Sequence, residues 1–286
     1  MILVTGGTGQ LGVATLNFLL KKCPASQLAA LVRDSGKAAD LIEKGVAIRV
    51  GNYDDTASLD EAMQGIDKVL LIAGTDEDKR VQQHMNVIDA AKKAGVKVVA
   101  YTSRALKDRH TLANQLMQGH FQTEDYLMQS GLNYVLFRNI LYMDAIPQFV
   151  GPTVFETGIR LPTGQGKVAF ALRNDMAEAM SAALVEDNND TKIYTLTGSE
   201  SYSFNDVAAT LTDLSGRQVA YESVEPSAFE QQLKARALPG VVIQRIIGFL
   251  TDIANGQEEE VSTDLEKLLG RKPALLSEGL KILYNV

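Results

Sequence analysis

The segment that most limits what this chain can fold into is its first twelve residues. There the short apolar run Ile2-Leu3-Val4 meets Gly6-Gly7-Thr8-Gly9-Gln10-Leu11-Gly12, and an amphipathic pattern carried by Leu11, Ala14, Leu16, Phe18 and Leu19 follows. A strand, a glycine turn and a helix in that order make a phosphate cradle. Gly6 lets the chain turn sharply out of the strand, Gly9 lets backbone N–H groups approach a pyrophosphate, and Gly12 lets the helix pack closely on the sheet. A second apolar run, Leu28 to Val32, ends in Arg33-Asp34. The end of the second strand is where an acidic side chain would bind the ribose 2′-hydroxyl of NAD, and where an arginine accommodates a 2′-phosphate. With the base first, the expected cofactor is NADP(H).

Apolar runs alternate with amphipathic stretches through the first half, giving strands near 2–5, 28–32, 46–50, 68–73, 97–102 and 133–137. Helices fall near 10–21, 36–43, 56–63, 79–94 and 111–130. Such alternation predicts an α/β fold of the Rossmann type, a doubly wound parallel sheet covered on both faces, with its pocket beyond the carboxyl ends of the strands. After Arg138 the alternation breaks, and Pro147, Pro152 and Pro162 cluster with glycines. The reading is a cofactor-binding domain over 1–138 and a smaller, mostly helical substrate-side α/β lobe over 139–286, with interleaved chain contributions. Three later segments, around 174–179, 192–198 and 204–209, read as helix starts or strands of that lobe, and Gly256-Gln257-Glu258-Glu259-Glu260 as an exposed interhelical loop.

Composition narrows the function classes. The net charge of −7 comes with no basic run, which argues against nucleic acid as a partner. One cysteine, Cys23, and three scattered histidines leave neither a disulfide framework nor a metal cluster to expect. No stretch reaches the roughly 20 uncharged residues of a membrane helix, and the amino terminus runs straight into a strand, so the expected compartment is the cytoplasm.

Further motifs carry a family resemblance. The glycine turn, Arg33, Gly51-Asn52-Tyr53-Asp54-Asp55, Tyr101-Thr102-Ser103, His120-Phe121-Gln122-Thr123-Glu124 and Arg138-Asn139-Ile140-Leu141-Tyr142 together resemble the NmrA-like atypical short-chain dehydrogenase/reductases. Within that family the chain is similar to the bacterial group of NADPH-dependent quinone oxidoreductases and triphenylmethane reductases. The resemblance implies that the phosphates lie on Gly6, Thr8, Gly9, Gln10 and Leu11, and that Arg33 meets the 2′-phosphate. It places Tyr53 near the adenine, with Ala73, Gly74, Thr102 and Ser103 along the nicotinamide half of the groove. An aromatic or quinone acceptor would lie against Ile140, Tyr142 and Phe149. The expected partners are that small molecule and, in a homodimer, a second copy of the chain.

One absence is informative. None of the nine tyrosines has a lysine four residues on, so the Tyr-x-x-x-Lys acid/base pair of carbonyl-reducing relatives is missing. In its place, on the helix after the fifth strand, stand His120 and Glu124, one helical turn apart. His120 is the candidate proton donor, because imidazole titrates in a useful range. The expected activity is hydride transfer from NADPH to a quinone or similarly conjugated acceptor, which delocalises the incoming charge itself. A non-enzymatic NADP(H) sensor also fits the missing pair, whereas a sugar-nucleotide epimerase or dehydratase fits it poorly.

Overall fold

A computed structural model describes residues 1–76 and 78–286. The first half alternates as β1 (Ile2–Val4), α1 (Gln10–Leu19), β2 (Leu28–Val32), α2 (Ala39–Glu43), β3 (Ala47–Val50), α3 (Thr56–Ala62) and β4 (Lys68–Leu71). It continues through α4 (Arg80–Lys93), β5 (Val98–Arg104), α5 (Gln118–Gln129) and β6 (Asn133–Asn139). The chain then leaves the sheet through α6 (Ile146–Val150), α7 (Val154–Thr157), β7 (Ile159–Leu161) and β8 (Lys167–Val168), and returns by α8 (Arg173–Val185) to β9 (Lys192–Leu196). The last third holds β10 (Tyr202–Ser203), α9 (Phe204–Ser215), β11 (Tyr221–Ser223), α10 (Pro226–Ala235), α11 (Gly240–Ala254), α12 (Asp264–Leu269) and α13 (Leu276–Tyr284).

The principal sheet has seven strands in the order β3-β2-β1-β4-β5-β6-β9, every pair parallel. Strand order reverses between β1 and β4, which opens the crevice of a Rossmann fold there. Both faces are covered, so the strands are apolar on both sides. Val98, Ala100 and Phe137 enter the larger core with α1, α8 and the carboxyl-terminal lobe, while Val99, Tyr101 and Leu136 enter a second core under α3 to α5. No helix among the described residues is long and apolar enough to cross a membrane.

The second half does not separate from the first at residue 138. Lys192–Leu196, read above as part of the lobe, is the seventh strand of the main sheet, in register with Val135–Asn139. The helix that leads to it, α8, lies on α1, where Ser181 Oγ donates to the Thr15 carbonyl at 3.1 Å. The lobe proper carries two small sheets, β7 with β11 and β8 with β10. Its helix α9 opens with a capping box: Ser203 Oγ accepts from Asp206 N, and the Asp206 carboxylate accepts from Ser203 N.

The helix expected over 111–130 begins only at Gln118, after a single 3₁₀ turn at Gln115–Met117. The preceding chain is drawn away to α11, where the buried Asp252 carboxylate accepts from Ala113 N at 2.6 Å and Asn114 N at 3.0 Å. Those charge-assisted bonds tie 113–114 to a partner 138 residues away and override the local helical pattern.

A buried polar network fixes α4 and α5 against the sheet. Gly74 N donates to His84 Nε2 at 2.9 Å, so the proton of the neutral ring sits on Nδ1, which meets Thr123 Oγ1 at 2.9 Å. Thr123 in turn donates to the Gly119 carbonyl at 2.8 Å. Beside it, His120 Nδ1 bonds the Tyr101 hydroxyl at 2.9 Å, and the same ring bonds the Thr102 backbone. Burial, and then the Arg80 guanidinium, hold His84 down to about 3 and His120 well below the usual histidine range. Both rings are therefore neutral when folded and protonate readily when unfolded. Their stabilisation is complete above the unfolded value of about 6.5 and is lost as pH falls below it, with a slope of about 1.4 kcal/mol per pH unit for each ring. Denaturant titrations from pH 7 to 4 are expected to give a shallower fall in stability for His84→Gln than for the unmodified protein, by about that slope. Parallel curves would contradict a neutral buried ring.

Candidate functional site

Gly6 leaves β1 at φ +59°, a left-handed conformation that glycine adopts without strain. Gly7 N then donates to the Leu31 carbonyl at 3.0 Å and Gly9 N to the Gly6 carbonyl at 2.8 Å, which folds the turn onto β2. A Cβ on Gly12 would stand 2.2 Å from the Gly6 carbonyl oxygen. The close approach that Gly12 permits is thus between helix and turn, a correction to the helix-on-sheet role expected of it. Gly7, absent from the expected site, is equally constrained, since its Cβ would come 2.8 Å from that of Ala30.

The turn delivers α1 with its amino-terminal donors open. The cap residue is Gly9, no side chain caps the helix, and no acidic residue sits in its first turn. The first N–H groups of the helix, those of Gln10, Leu11 and Gly12, therefore have no side-chain partner at the positive end of the helix dipole. Gly6, Gly9 and Gln10 are exposed, Thr8 is half-buried, and the Leu11 side chain anchors the helix in the core. This is a surface for an anion, with Gly9 at its rim, where a Cβ would already crowd the Gly6 carbonyl at 3.2 Å.

At the end of β2, Arg33 is exposed and forms no ion pair among the described residues. Asp34, the competing acidic residue, is committed locally: its carboxylate accepts from Gly36 N at 2.9 Å and caps a 3₁₀ turn. The guanidinium stays near enough to Tyr53 to favour its phenolate, although burial dominates and pushes that phenol upward. Tyr53 points inward. Its hydroxyl bonds Thr5 Oγ1, and also the Ile72 carbonyl at 3.0 Å, bridging the ends of β1 and β4 at the reversal point.

Beyond the reversal point the groove wall is held peptide by peptide. Ile72 N donates to Thr5 Oγ1 and Ala73 N to Thr102 Oγ1, each at 2.9 Å. Gly74 is gripped at both ends, by His84 at its N–H and by Arg80 Nε at its carbonyl, 2.9 Å in both cases. Arg80 and His84 were not among the expected site residues; their spacing, one turn apart on α4, is the signal that puts both on its buried face. Ser103 Oγ is buried at the end of β5 without a hydrogen-bond partner among the described residues.

His120 is 7 % exposed, its Nδ1 bonds the Tyr101 hydroxyl at 2.9 Å, and burial holds the ring well below the usual histidine range, an arrangement that favours positioning over proton donation. Glu124 is 1 % exposed and grips Arg138 through two bonds, at 3.0 and 2.7 Å, which makes it an orienting residue.

The three expected acceptor residues separate. Ile140 is 1 % exposed, its N–H donates to the Leu196 carbonyl, and it packs beside β9 while lining a cavity with Phe121 and Arg138. Phe149 packs edge-on against Phe204 inside the lobe, with centroids 6.4 Å apart. Tyr142 alone presents a polar atom to the strand ends, its hydroxyl accepting from Asn139 Nδ2 at 3.1 Å. Beside it the segment expected as an exposed loop turns inward: Glu258 is 1 % exposed, binds Arg104, and accepts from Leu141 N at 3.1 Å. A polar run such as Gln257–Glu260 carries no sequence signal for burial, because its partners come from β5 and the chain after β6. A cavity of about 330 Å³ on the α5 side of β5, β6 and β9 is lined by Arg109, Phe121, Arg138 and Gln257. Its two arginines are already paired with Asp125 and Glu124, and it lies strands away from the glycine turn.

Comparison with known proteins agrees with this geometry. The chain is 37 % identical to quinone oxidoreductase 2 of Escherichia coli (strain K12) over 287 aligned positions, covering all of this chain and 99 % of that one. The crystal structure of an E. coli NADPH-dependent quinone oxidoreductase complexed with NADPH superposes with a TM-score of 0.91 at 36 % identity, covering both chains completely. A Citrobacter sp. triphenylmethane reductase superposes with a TM-score of 0.91 at 33 % identity, over all of this chain and 99 % of that one. Residues 1–278 match the family model, and the chain belongs to the NmrA-like family.

Proposed function

We propose that the protein is an NADPH-dependent reductase that passes hydride to a quinone or similarly conjugated small molecule. The observation that carries this reading is the combination of an uncapped α1 amino terminus with an exposed Arg33 at the end of β2 that forms no ion pair among the described residues. The helix end suits the pyrophosphate, through the N–H groups of Gln10, Leu11 and Gly12. Arg33 suits the 2′-phosphate, and the commitment of Asp34 to its own turn leaves that arginine unopposed. Ala73, Gly74, Thr102 and Ser103 form the wall along which the nicotinamide half would lie.

When bound, the reduced nicotinamide supplies the hydride. The chain's own part is to align two flat molecules and exclude water, and proximity of that kind supplies much of the acceleration. A conjugated acceptor spreads the added charge over its own ring, which suits a site with no Tyr-x-x-x-Lys and a neutral, committed His120. The quinone and triphenylmethane relatives support this acceptor class.

Three measurements test the reading. NADPH oxidation assayed against a panel of quinones and cationic triarylmethane dyes is expected to show turnover; tight NADPH binding with no turnover of any acceptor would assign the protein as a cofactor sensor instead. Arg33→Ala is expected to weaken NADPH binding by roughly 1.5–3 kcal/mol, ten- to a hundredfold, while leaving NADH binding little changed. Equal affinities for the two cofactors in the unmodified protein would contradict the assigned role of Arg33. Gly9→Val is expected to abolish NADPH binding in a protein with an unchanged circular dichroism spectrum, because the new side chain fills the rim of the cradle.

A further inference from the structure

Arg104 and Asn139 close β5 and β6 at register-paired positions. Both lie on the face that carries Val98, Ala100 and Phe137 into the larger core. Thr102, two residues earlier on that face, holds the Ala73 peptide, so Arg104 is the next step outward along the groove wall. Two polar atoms at these positions are buried without a partner among the described residues: Nε of Arg104, a donor, and Oδ1 of Asn139, an acceptor. The remainder of each side chain is fixed. The Arg104 guanidinium is paired with the Glu258 carboxylate and lies 5.9 Å from the Phe249 ring centroid, while Asn139 Nδ2 holds the Tyr142 hydroxyl at 3.1 Å. Arg173, itself paired with Asp144, lies over the Tyr142 ring at 5.2 Å.

A buried donor and a buried acceptor left open at adjacent strand ends cost stability, and natural proteins keep such groups where something else completes the bonding. We propose that Arg104, together with the Tyr142 hydroxyl held by Asn139, receives the oxygen of the acceptor and stabilises the negative charge that reaches it with the hydride. The inference rests on the reductase reading above and narrows its substrate to conjugated acceptors that bear a carbonyl oxygen. In the balanced step the quinone would take one hydride, two electrons and a proton, from the reduced nicotinamide at a ring carbon conjugated with one carbonyl, forming a C–H bond there as that carbonyl's π pair moves onto oxygen. The oxyanion then takes a proton from water, leaving hydroxide to the solvent, and the added carbon loses a proton to solvent while the second carbonyl oxygen gains one, which gives the hydroquinone and leaves the nicotinamide oxidised. Arg104 Nε–H and Tyr142 O–H are the donors assigned to the oxyanion.

A cationic triarylmethane dye is neutralised by hydride at carbon and forms no oxyanion, which gives the experiment its two arms. Arg104→Lys retains the charge opposite Glu258 and removes the Nε–H. The double variant Arg104→Met with Glu258→Gln removes both charges together, so that no buried carboxylate is stranded. For both, kcat with a neutral quinone is expected to fall roughly 10²- to 10³-fold, the usual loss for one oxyanion donor. The kcat with a cationic dye is expected to fall at least tenfold less than the kcat with the quinone, and the Kd for NADPH to stay within about twofold. Tyr142→Phe is expected to lower the quinone rate at least tenfold more than the dye rate. Equal losses on both acceptor classes, or an undiminished quinone rate, would overturn the assignment while leaving the reductase reading in place; an unmodified protein that turns over neither acceptor would overturn both.

Discussion

The contact on which the site depends is the one between Gly12 and the Gly6 carbonyl. With 2.2 Å available to a Cβ, the first turn of α1 is pressed against the turn that precedes it. That closeness fixes the direction of the helix relative to β1, and therefore the direction of its uncapped N–H groups. A hydrogen-bonding side chain at the helix start would satisfy those groups internally, and an acidic one would oppose an incoming phosphate. The chain has neither, so it keeps a small instability at the point where a ligand can relieve it.

Across the reversal point the logic is opposite, because the N–H groups of Ile72, Ala73 and Gly74 and the carbonyls of Ile72 and Gly74 are all paired. Thr5, Thr102, His84 and Arg80 hold three successive peptides, and His84 links the same loop to α5 through Thr123. One side of the crevice is thus open by omission and the other rigid by saturation. Low dielectric around His84 and His120 makes their bonds strong and their protonation costly, which suits scaffolding better than proton transfer.

The parts of the molecule legible in the sequence are those set by local pattern. Strands at 28–32 and 133–137 follow from apolar runs, and the glycine turn from spacing alone. The parts that were not legible are set by partners far away in the chain. The late start of α5 is imposed by Asp252, and the burial of Glu258 by Arg104 and Leu141. Lys192–Leu196 looks like any short β-branched run until β6 is known to lack a neighbour on that side. His120 is chemically able by residue type, yet its Nδ1 bond to Tyr101 and its burial belong to a tertiary arrangement that no spacing rule contains.

The return of the chain to β9 has a mechanical consequence. The segment between β6 and β9 is a loop out of the sheet whose two ends are stitched to neighbouring strands, so the wall that carries Tyr142 and Arg173 cannot drift from the crevice without pulling the sheet apart. It also means that the chain has no severable cofactor-binding half. Cutting after residue 138 would strip β6 of its outer neighbour and leave Val135 to Phe137 as a bare, apolar edge with its backbone groups unanswered, the kind of edge that recruits another copy of itself.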